Sequence, residues 1–426
     1  MSYSFKVSFD EILGKGATST VYLARDMASD VQSAAKRIRL DRLDATTKQM
    51  VVKETKIYQH FSRQLSQSNN QFEGDHVVQA KAISKSHNDL YLFLELIEGP
   101  DFCTIVDDAL LVAKKSPSRT RSKTSVRKSI RKLRSSSLNS IDHTAMNFTP
   151  SKKTPIGMTY AKVAGYFRQM ALAVSQIHQM GVLHRDIKLE NFLLDTKQDR
   201  VVLTDFGLAD FLHDPKTGQL QVFDTYCGSP AYAAPSLVAK KPYQGTAIDI
   251  WSLGIVLYVL MEGKFPFASN QRGELFESIL SARVRFDKVQ SKSLRTLIRG
   301  MLAKDPSDRW SINQVLESEW LVKILSSEED FIVASTSSMP NITINKKDNI
   351  NNKDLINNNN KNNKELITKN EENNLKSTNE IITQQTIQQI IQQNNQPPCR
   401  LRCFISRLLH FFSLRHFHHQ PTTTTV

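Results

Sequence analysis

Residues 184–191 read His-Arg-Asp-Ile-Lys-Leu-Glu-Asn, and fourteen residues after Asn191 comes Asp205-Phe206-Gly207. No other stretch constrains the chain as tightly, because two such motifs at this spacing are rarely accidental, and the chemistry of phosphoryl transfer explains their residue types. Moving a phosphoryl group between two oxygens needs an acceptor for the hydroxyl proton, cations spread over the phosphates, and oxygen ligands that fix those cations. Asp186 suits the first task, and Asn191 with Asp205 suits the third.

Further segments fit the same chemistry in chain order. Gly14-Lys15-Gly16-Ala17-Thr18-Ser19-Thr20-Val21 is a glycine-rich turn. A dinucleotide-binding turn would run on into a helix, whereas 20–24 continues as strand, which favours a hairpin lid whose backbone N–H groups cover phosphates. Ala34-Ala35-Lys36 follows, then Glu54 eighteen residues later inside a helical pattern, then Tyr91-Leu92-Phe93-Leu94-Glu95-Leu96-Ile97-Glu98-Gly99. Downstream lie Thr225-Tyr226-Cys227-Gly228-Ser229-Pro230-Ala231-Tyr232-Ala233-Ala234-Pro235, Asp249-Ile250-Trp251-Ser252-Leu253-Gly254, Gly263-Lys264-Phe265-Pro266-Phe267 and Asp305-Pro306-Ser307-Asp308-Arg309-Trp310.

On these motifs the chain resembles a eukaryotic Ser/Thr protein kinase, and its 225–235 segment is similar to that of the calmodulin-dependent and AMP-activated kinase group. The resemblance implies an α+β bilobal fold: a small β-rich N-terminal lobe over about 5–98 and a larger helical lobe over 99–321. It implies ATP and Mg2+ as cofactors and protein substrates. Asp186 would be the catalytic base and Lys188 would steady the γ-phosphate, with Asn191 and Asp205 as metal ligands. The ATP site would comprise Leu13, Gly14, Lys15, Gly16, Val21, Ala34, Lys36 with its partner Glu54, Leu94 as gatekeeper, Glu95, Ile97, Asp101 near the ribose, Glu190, and Leu193 below the adenine. Thr225 stands where an upstream kinase would phosphorylate, and its phosphate would pair with Arg185. Acidic Glu98, Asp101 and Glu190 near the expected cleft suggest basic substrates.

Two positions depart from the family pattern. Ser19 replaces the third glycine of the lid, and Ser236 replaces the Glu that ends the Ala-Pro-Glu triplet and pairs with a buried Arg, here matching Arg309. Removing one member of a buried ion pair costs about 3–5 kcal/mol as a single change. These departures are the support for the alternative reading, a pseudokinase scaffold targeted by its insert and tail.

Alternation and β-branched content predict strands over 5–13, 20–24, 33–40, 76–83 and 90–96, with a helix over 46–61. Val163, Phe167, Met170, Ala171, Val174 and Ile177 form the stripe of a buried helix over 160–180.

The 426 residues exceed one compact domain, and charge marks the appendages. Of the net +14, +11 falls within 113–155 and +4 after 394, so the catalytic body is near neutral. The charge sits in two segments rather than on a fold-wide face, so nucleic-acid binding is not expected. The 113–155 insert, rich in Ser, Thr, Arg and Lys, cannot repay the entropy of ordering and is expected to be a disordered, phosphorylated loop. An Asn/Gln-rich, disordered linker is expected over 322–396.

Residues 397–426 differ. Leu401, Phe404, Ile405, Leu408, Phe411 and Phe412 fall on one helical face, with Arg400, Arg402, Arg407 and His410 on the other. This basic amphipathic tail suits a membrane surface, with Cys399 and Cys403 as lipidation sites, or a calmodulin-like partner, or an autoinhibitory contact. Four scattered cysteines, no secretory signal and no run of about eighteen apolar residues point to a cytoplasmic protein, peripheral to membrane through its tail.

Overall fold

Strand-forming residues in the first hundred positions build one antiparallel sheet. The computed structural model describes residues 5–67, 75–115, 151–214 and 216–326. Strands β1 (Phe5–Lys15), β2 (Ser19–Asp26), β3 (Gln32–Arg39), β4 (Ala80–Lys85) and β5 (Asp89–Glu95) assemble in the order β1-β2-β3-β5-β4. Helix α1 (Ala45–Gln67) covers this sheet through Val51, Glu54, Ile57, Tyr58 and Phe61, all buried and spaced as one helical face. The register aligns Val21, Lys36 and Leu92 across three strands, which fixes Lys36 in the middle of the sheet.

Beyond the sheet the structure is mainly helical. Helix α2 (Phe102–Lys115) leads to α3 (Tyr160–Gln179), whose start is capped by Thr159 accepting from the Lys162 amide at 3.1 Å. Val163, Phe167, Met170, Ala171, Val174 and Ile177 are all fully buried; burying a large apolar side chain of this kind contributes about 1.5–3 kcal/mol. Short ladders follow: β6 (Val182–Leu183) with β9 (Asp210–Phe211), β7 (Phe192–Asp195) with β8 (Arg200–Leu203), and β10 (Val222–Phe223) with β11 (Tyr243–Gln244). Helices α4 (Pro235–Val238), α5 (Ala247–Glu262), α6 (Arg272–Ser281), α7 (Lys292–Met301) and α8 (Ile312–Leu316) complete the lobe, with a further helix, α9, over 319–326. Helix α5 is apolar on all sides and accordingly lies in the core, with Trp251 stacked on Phe267.

The structure shifts several expected boundaries. Residues 76–78 do not join the sheet, because His76 and Val78 exchange backbone hydrogen bonds with Leu203 of β8 instead; Gln79 accepts from the Glu95 amide at 2.9 Å, and the strand starts at Ala80. Helix α1 runs six residues past the expected end. The helical lobe passes its expected limit at 321, since α9 buries Ile324, and 322–326 therefore belongs to it rather than to the linker. Both edges of the basic insert are ordered: 113–115 ends α2, while Thr154 is buried and bonds the Met158 carbonyl. The remainder of the insert, the Asn/Gln-rich linker and the tail lie outside the described residues. Among the described residues no helix is long and apolar enough to cross a membrane.

The crossing between the two lobes is tight. Leu194 and Thr196 donate to the Pro100 and Glu98 carbonyls at 3.0 and 3.2 Å, and a Cβ on Gly99 would stand 2.0 Å from the Leu194 carbonyl oxygen. Gly99→Ala is expected to cost about 1–3 kcal/mol, because the backbone it meets cannot rotate away. Urea unfolding checks this; an unchanged midpoint would show that the crossing can widen.

Candidate active site

Lys36 Nζ lies 2.7 Å from Glu54 Oε1 and 2.9 Å from Asp205 Oδ1, joining the sheet, α1 and the loop after β8. Glu54 is 3% exposed, whereas Asp205 is 52% exposed and sits at φ 64°. Burial works to lower the Lys36 ammonium, but Asp205 and Glu54 outweigh it and hold it well above its usual value. Lys36 in turn holds the Asp205 carboxyl well below the usual range. Burial pushes Glu54 up, with Lys36 pulling against it. Phe206, between Asp205 and Gly207, is fully buried against Tyr58 and Phe61 of α1 and against His184, so the loop is anchored to both lobes.

The second half of the site is held by Asp249 of α5, which is 1% exposed. Its Oδ2 accepts from the His184 amide and its Oδ1 from the Arg185 amide, each at 2.9 Å, and Oδ2 also contacts His178 Nε2 at 2.9 Å. These bonds hold Arg185 at φ 66°, a left-handed conformation that costs a residue bearing a Cβ about 1–2 kcal/mol and turns the chain toward Asp186. Lys188 Nζ contacts Asp186 Oδ2 and lies 3.3 Å from Ser229 Oγ. Asp186 Oδ1 accepts from both the amide and the hydroxyl of Ser229 at 3.1 Å. Burial works to lower the Lys188 ammonium, but Asp186 and Glu190 hold it above its usual value. Asn191 Nδ2 donates to the Asp186 carbonyl at 2.8 Å, which leaves the amide oxygen as its acceptor end.

The remaining predicted residues fall in two places. Leu13, Gly14, Lys15, Gly16 and Val21 lie along the β1–β2 hairpin, closed by the Gly16 amide on the Ser19 carbonyl at 2.8 Å. Ser19 has no positive φ and pairs with Ile38, so nothing in its backbone requires glycine. Ala34 pairs with Leu94, and Asp101 bridges to Leu193, so the sheet and the floor approach one another at the lobe crossing. Glu95 is committed to Arg200 at 2.7 Å, and Asp101 caps α2 by accepting from the Thr104 amide and hydroxyl. Glu98 pairs with Lys197. Thr225 is exposed and bonds Asp224 at 3.2 Å, while Arg185 bonds the Leu208 carbonyl and Asp210.

The residues present fit ATP and Mg2+. Ile97 is 9% exposed, yet among the described residues its amide has no acceptor, which suits a hydrogen-bonding planar base at the lobe crossing. The half-exposed Asp205 carboxylate and the Asn191 amide oxygen are hard oxygen donors of the kind Mg2+ takes beside phosphates. At Ser236 the hydroxyl is buried with no partner among the described residues. Arg309 is nevertheless not stranded: it donates to the Ala247, Ala303 and Lys304 carbonyls at 2.8–3.3 Å and stacks over Trp251. Burial, countered by Asp305, pushes its guanidinium down to about 10.

A sheet lysine paired with a helix carboxylate, set against an Asp-Lys-Asn loop, is the site of one class of protein, the two-lobed kinases. The sequence matches the protein kinase domain family over residues 7–321, and the chain belongs to that family. It is 44% identical over 158 residues to a probable serine/threonine-protein kinase KIN1 homolog of Encephalitozoon cuniculi, covering 37% of this chain and 27% of that protein. It is 39% identical over 182 residues to CBL-interacting protein kinase 22 of Oryza sativa, covering 42% and 40%. With serine/threonine-protein kinase SIK2 of Gallus gallus it shares 29% identity over 319 residues, covering 74% and 32%. The matched stretches span between about a quarter and two fifths of these relatives' length.

Sequence reasoning did not find the roles of His178, Phe206, Ser229 or Asp210, whose partners are distant in the chain. The ion pair generates a prediction. Lys36→Met leaves the Glu54 carboxylate buried and unpaired, at a cost of about 3–5 kcal/mol, and Lys36→Met with Glu54→Leu recovers most of it. With Lys36 gone, burial raises the Glu54 carboxyl unopposed above its ordinary value. The unfolded chain then releases its proton first as pH rises, so the deficit is small below the ordinary carboxylate range and grows as pH climbs through the raised folded value. Urea unfolding of both variants at several pH values checks this; a pH-independent deficit would contradict it.

Proposed function

We propose that this chain is a serine/threonine protein kinase that transfers the γ-phosphoryl group of ATP to hydroxyls of protein substrates. The observation that carries this reading is the cluster in which Asp186, Lys188 and Asn191 meet, with Asn191 fourteen residues before the Asp205 that pairs with Lys36. Lys36 would hold the nucleotide phosphates and Asn191 with Asp205 the Mg2+. When bound, MgATP supplies the transferable group and the neutralising charge. Asp186 would take the proton of the acceptor hydroxyl. That its Oδ1 accepts a hydrogen bond from a serine hydroxyl at 3.1 Å supports Ser or Thr as acceptor. Lys188, kept charged by its neighbours, supports transfer by facing the developing negative charge. Thr225, exposed between the Asp-Phe-Gly loop and α4, is the proposed site of control by an upstream kinase.

Asp186→Asn is expected to lower kcat by about 10²–10⁴, since an oriented proton acceptor is lost, while leaving the fold intact and nucleotide affinity near that of the parent. Steady-state phosphotransfer with calorimetry checks both. A variant that retains parental kcat would remove Asp186 from the proposed role.

A further inference from the structure

The kinase reading gives the buried carboxylate of Asp210 no task. Asp210, the first residue of β9, is 5% exposed. Its Oδ1 accepts from the Phe211 amide at 2.9 Å. Its Oδ2 contacts two cations at once, Lys53 Nζ at 2.5 Å and Arg185 Nη2 at 3.2 Å. Lys53 immediately precedes Glu54 on α1, and Arg185 immediately precedes Asp186. One oxygen therefore ties the helix that presents Glu54 to the loop that presents Asp186.

The surroundings make this tie rigid. The β6–β9 ladder pairs Asp210 with Leu183, one residue before the loop begins, and His60 of α1 packs edge-on against Phe211. Arg185 is pinned on every side: its amide bonds Asp249, its Nε donates to the Leu208 carbonyl at 2.7 Å, and its guanidinium lies 5.2 Å from the Phe223 ring centre. This is the arginine expected from the sequence to receive a phosphate on Thr225. It already has an anion, one supplied by the chain itself.

We propose that Asp210 is a positioning residue, a resident carboxylate that clamps α1 to the catalytic loop. It keeps Glu54 and Asp186 in register in the unphosphorylated protein, so that phosphorylation of Thr225 augments activity rather than switching it on. The inference rests on the kinase reading above, because register matters only if the two halves act on one reaction.

The test uses the full chain in two forms, Thr225 unmodified and Thr225 carrying a genetically encoded phosphate, assayed with MgATP and a Ser peptide. In the unmodified form, Asp210→Asn is expected to lose roughly ten- to hundredfold in kcat with little change in peptide KM, the scale of a small misplacement. Asp210→Glu should retain most of the activity. The phosphate should restore Asp210→Asn by at least about tenfold, because it offers Arg185 a new anion, while raising the parent by less. Lys53→Met, at a side chain 41% exposed and so of little risk to folding, should lower the unmodified kcat about five- to tenfold. The proposal is overturned if Asp210→Asn loses the same factor with and without the phosphate, the behaviour of a purely structural residue. It is equally overturned if Lys53→Met leaves kcat unchanged, an outcome readable even where Asp210→Asn does not fold. A parent chain inactive in both forms defeats the kinase reading itself, and the clamp with it; an active parent with phosphate-independent losses defeats the clamp alone.

Discussion

One ammonium group, Nζ of Lys36, lies within 3 Å of two carboxylates from different parts of the chain, and the candidate site exists only while it does. Burial alone would discharge this amine; Asp205 and Glu54 keep it charged, and its charge keeps Asp205 ionised. Each group thus depends on the others, which makes the pair sensitive to any movement of α1 relative to the sheet. Tyr58 and Phe61 limit that movement by packing on Phe206, and the Lys53–Asp210–Arg185 contacts hold the same helix.

The helical lobe contributes an equally fixed frame. Asp249 satisfies two loop amides and a histidine from a position with almost no solvent, so its bonds face little competition from water. Gly228 reinforces the arrangement: it sits at φ 88°, and a Cβ there would stand 2.5 Å from the Arg185 carbonyl oxygen, so the 225–235 segment closes onto the loop only with glycine. Arg309 shows a different solution to the same problem. Where the family pattern has a carboxylate, backbone carbonyls and the Trp251 face carry the guanidinium, and the Ser236 hydroxyl is left without a partner among the described residues.

Much of this was legible in the sequence because local pattern and local chemistry coincide. The β1–β2–β3 strands, the buried stripe of α3 and the motifs around Asp186 and Asp205 all announce themselves within a few residues. What stayed hidden depends on contacts between distant segments. The exchange of 76–78 with β8 looks like strand in isolation, because alternation does not say which neighbour a segment will pair with. Asp210 reads as an ordinary acid until the β6–β9 ladder sets it beside Arg185. The carbonyl cage of Arg309 has no side-chain signature at all, so the missing Glu suggested an instability that the backbone compensates.

The central claim is that these elements form a site competent for phosphoryl transfer to aliphatic hydroxyls. The most direct measurement is incorporation of labelled phosphate from MgATP by the purified full chain on degenerate peptide arrays carrying Ser, Thr or Tyr as the only acceptor, with mass spectrometry to locate the product. The account predicts transfer to Ser and Thr peptides and none to Tyr. No transfer to any acceptor, with Thr225 phosphorylated or not, or transfer to Tyr alone, would contradict it.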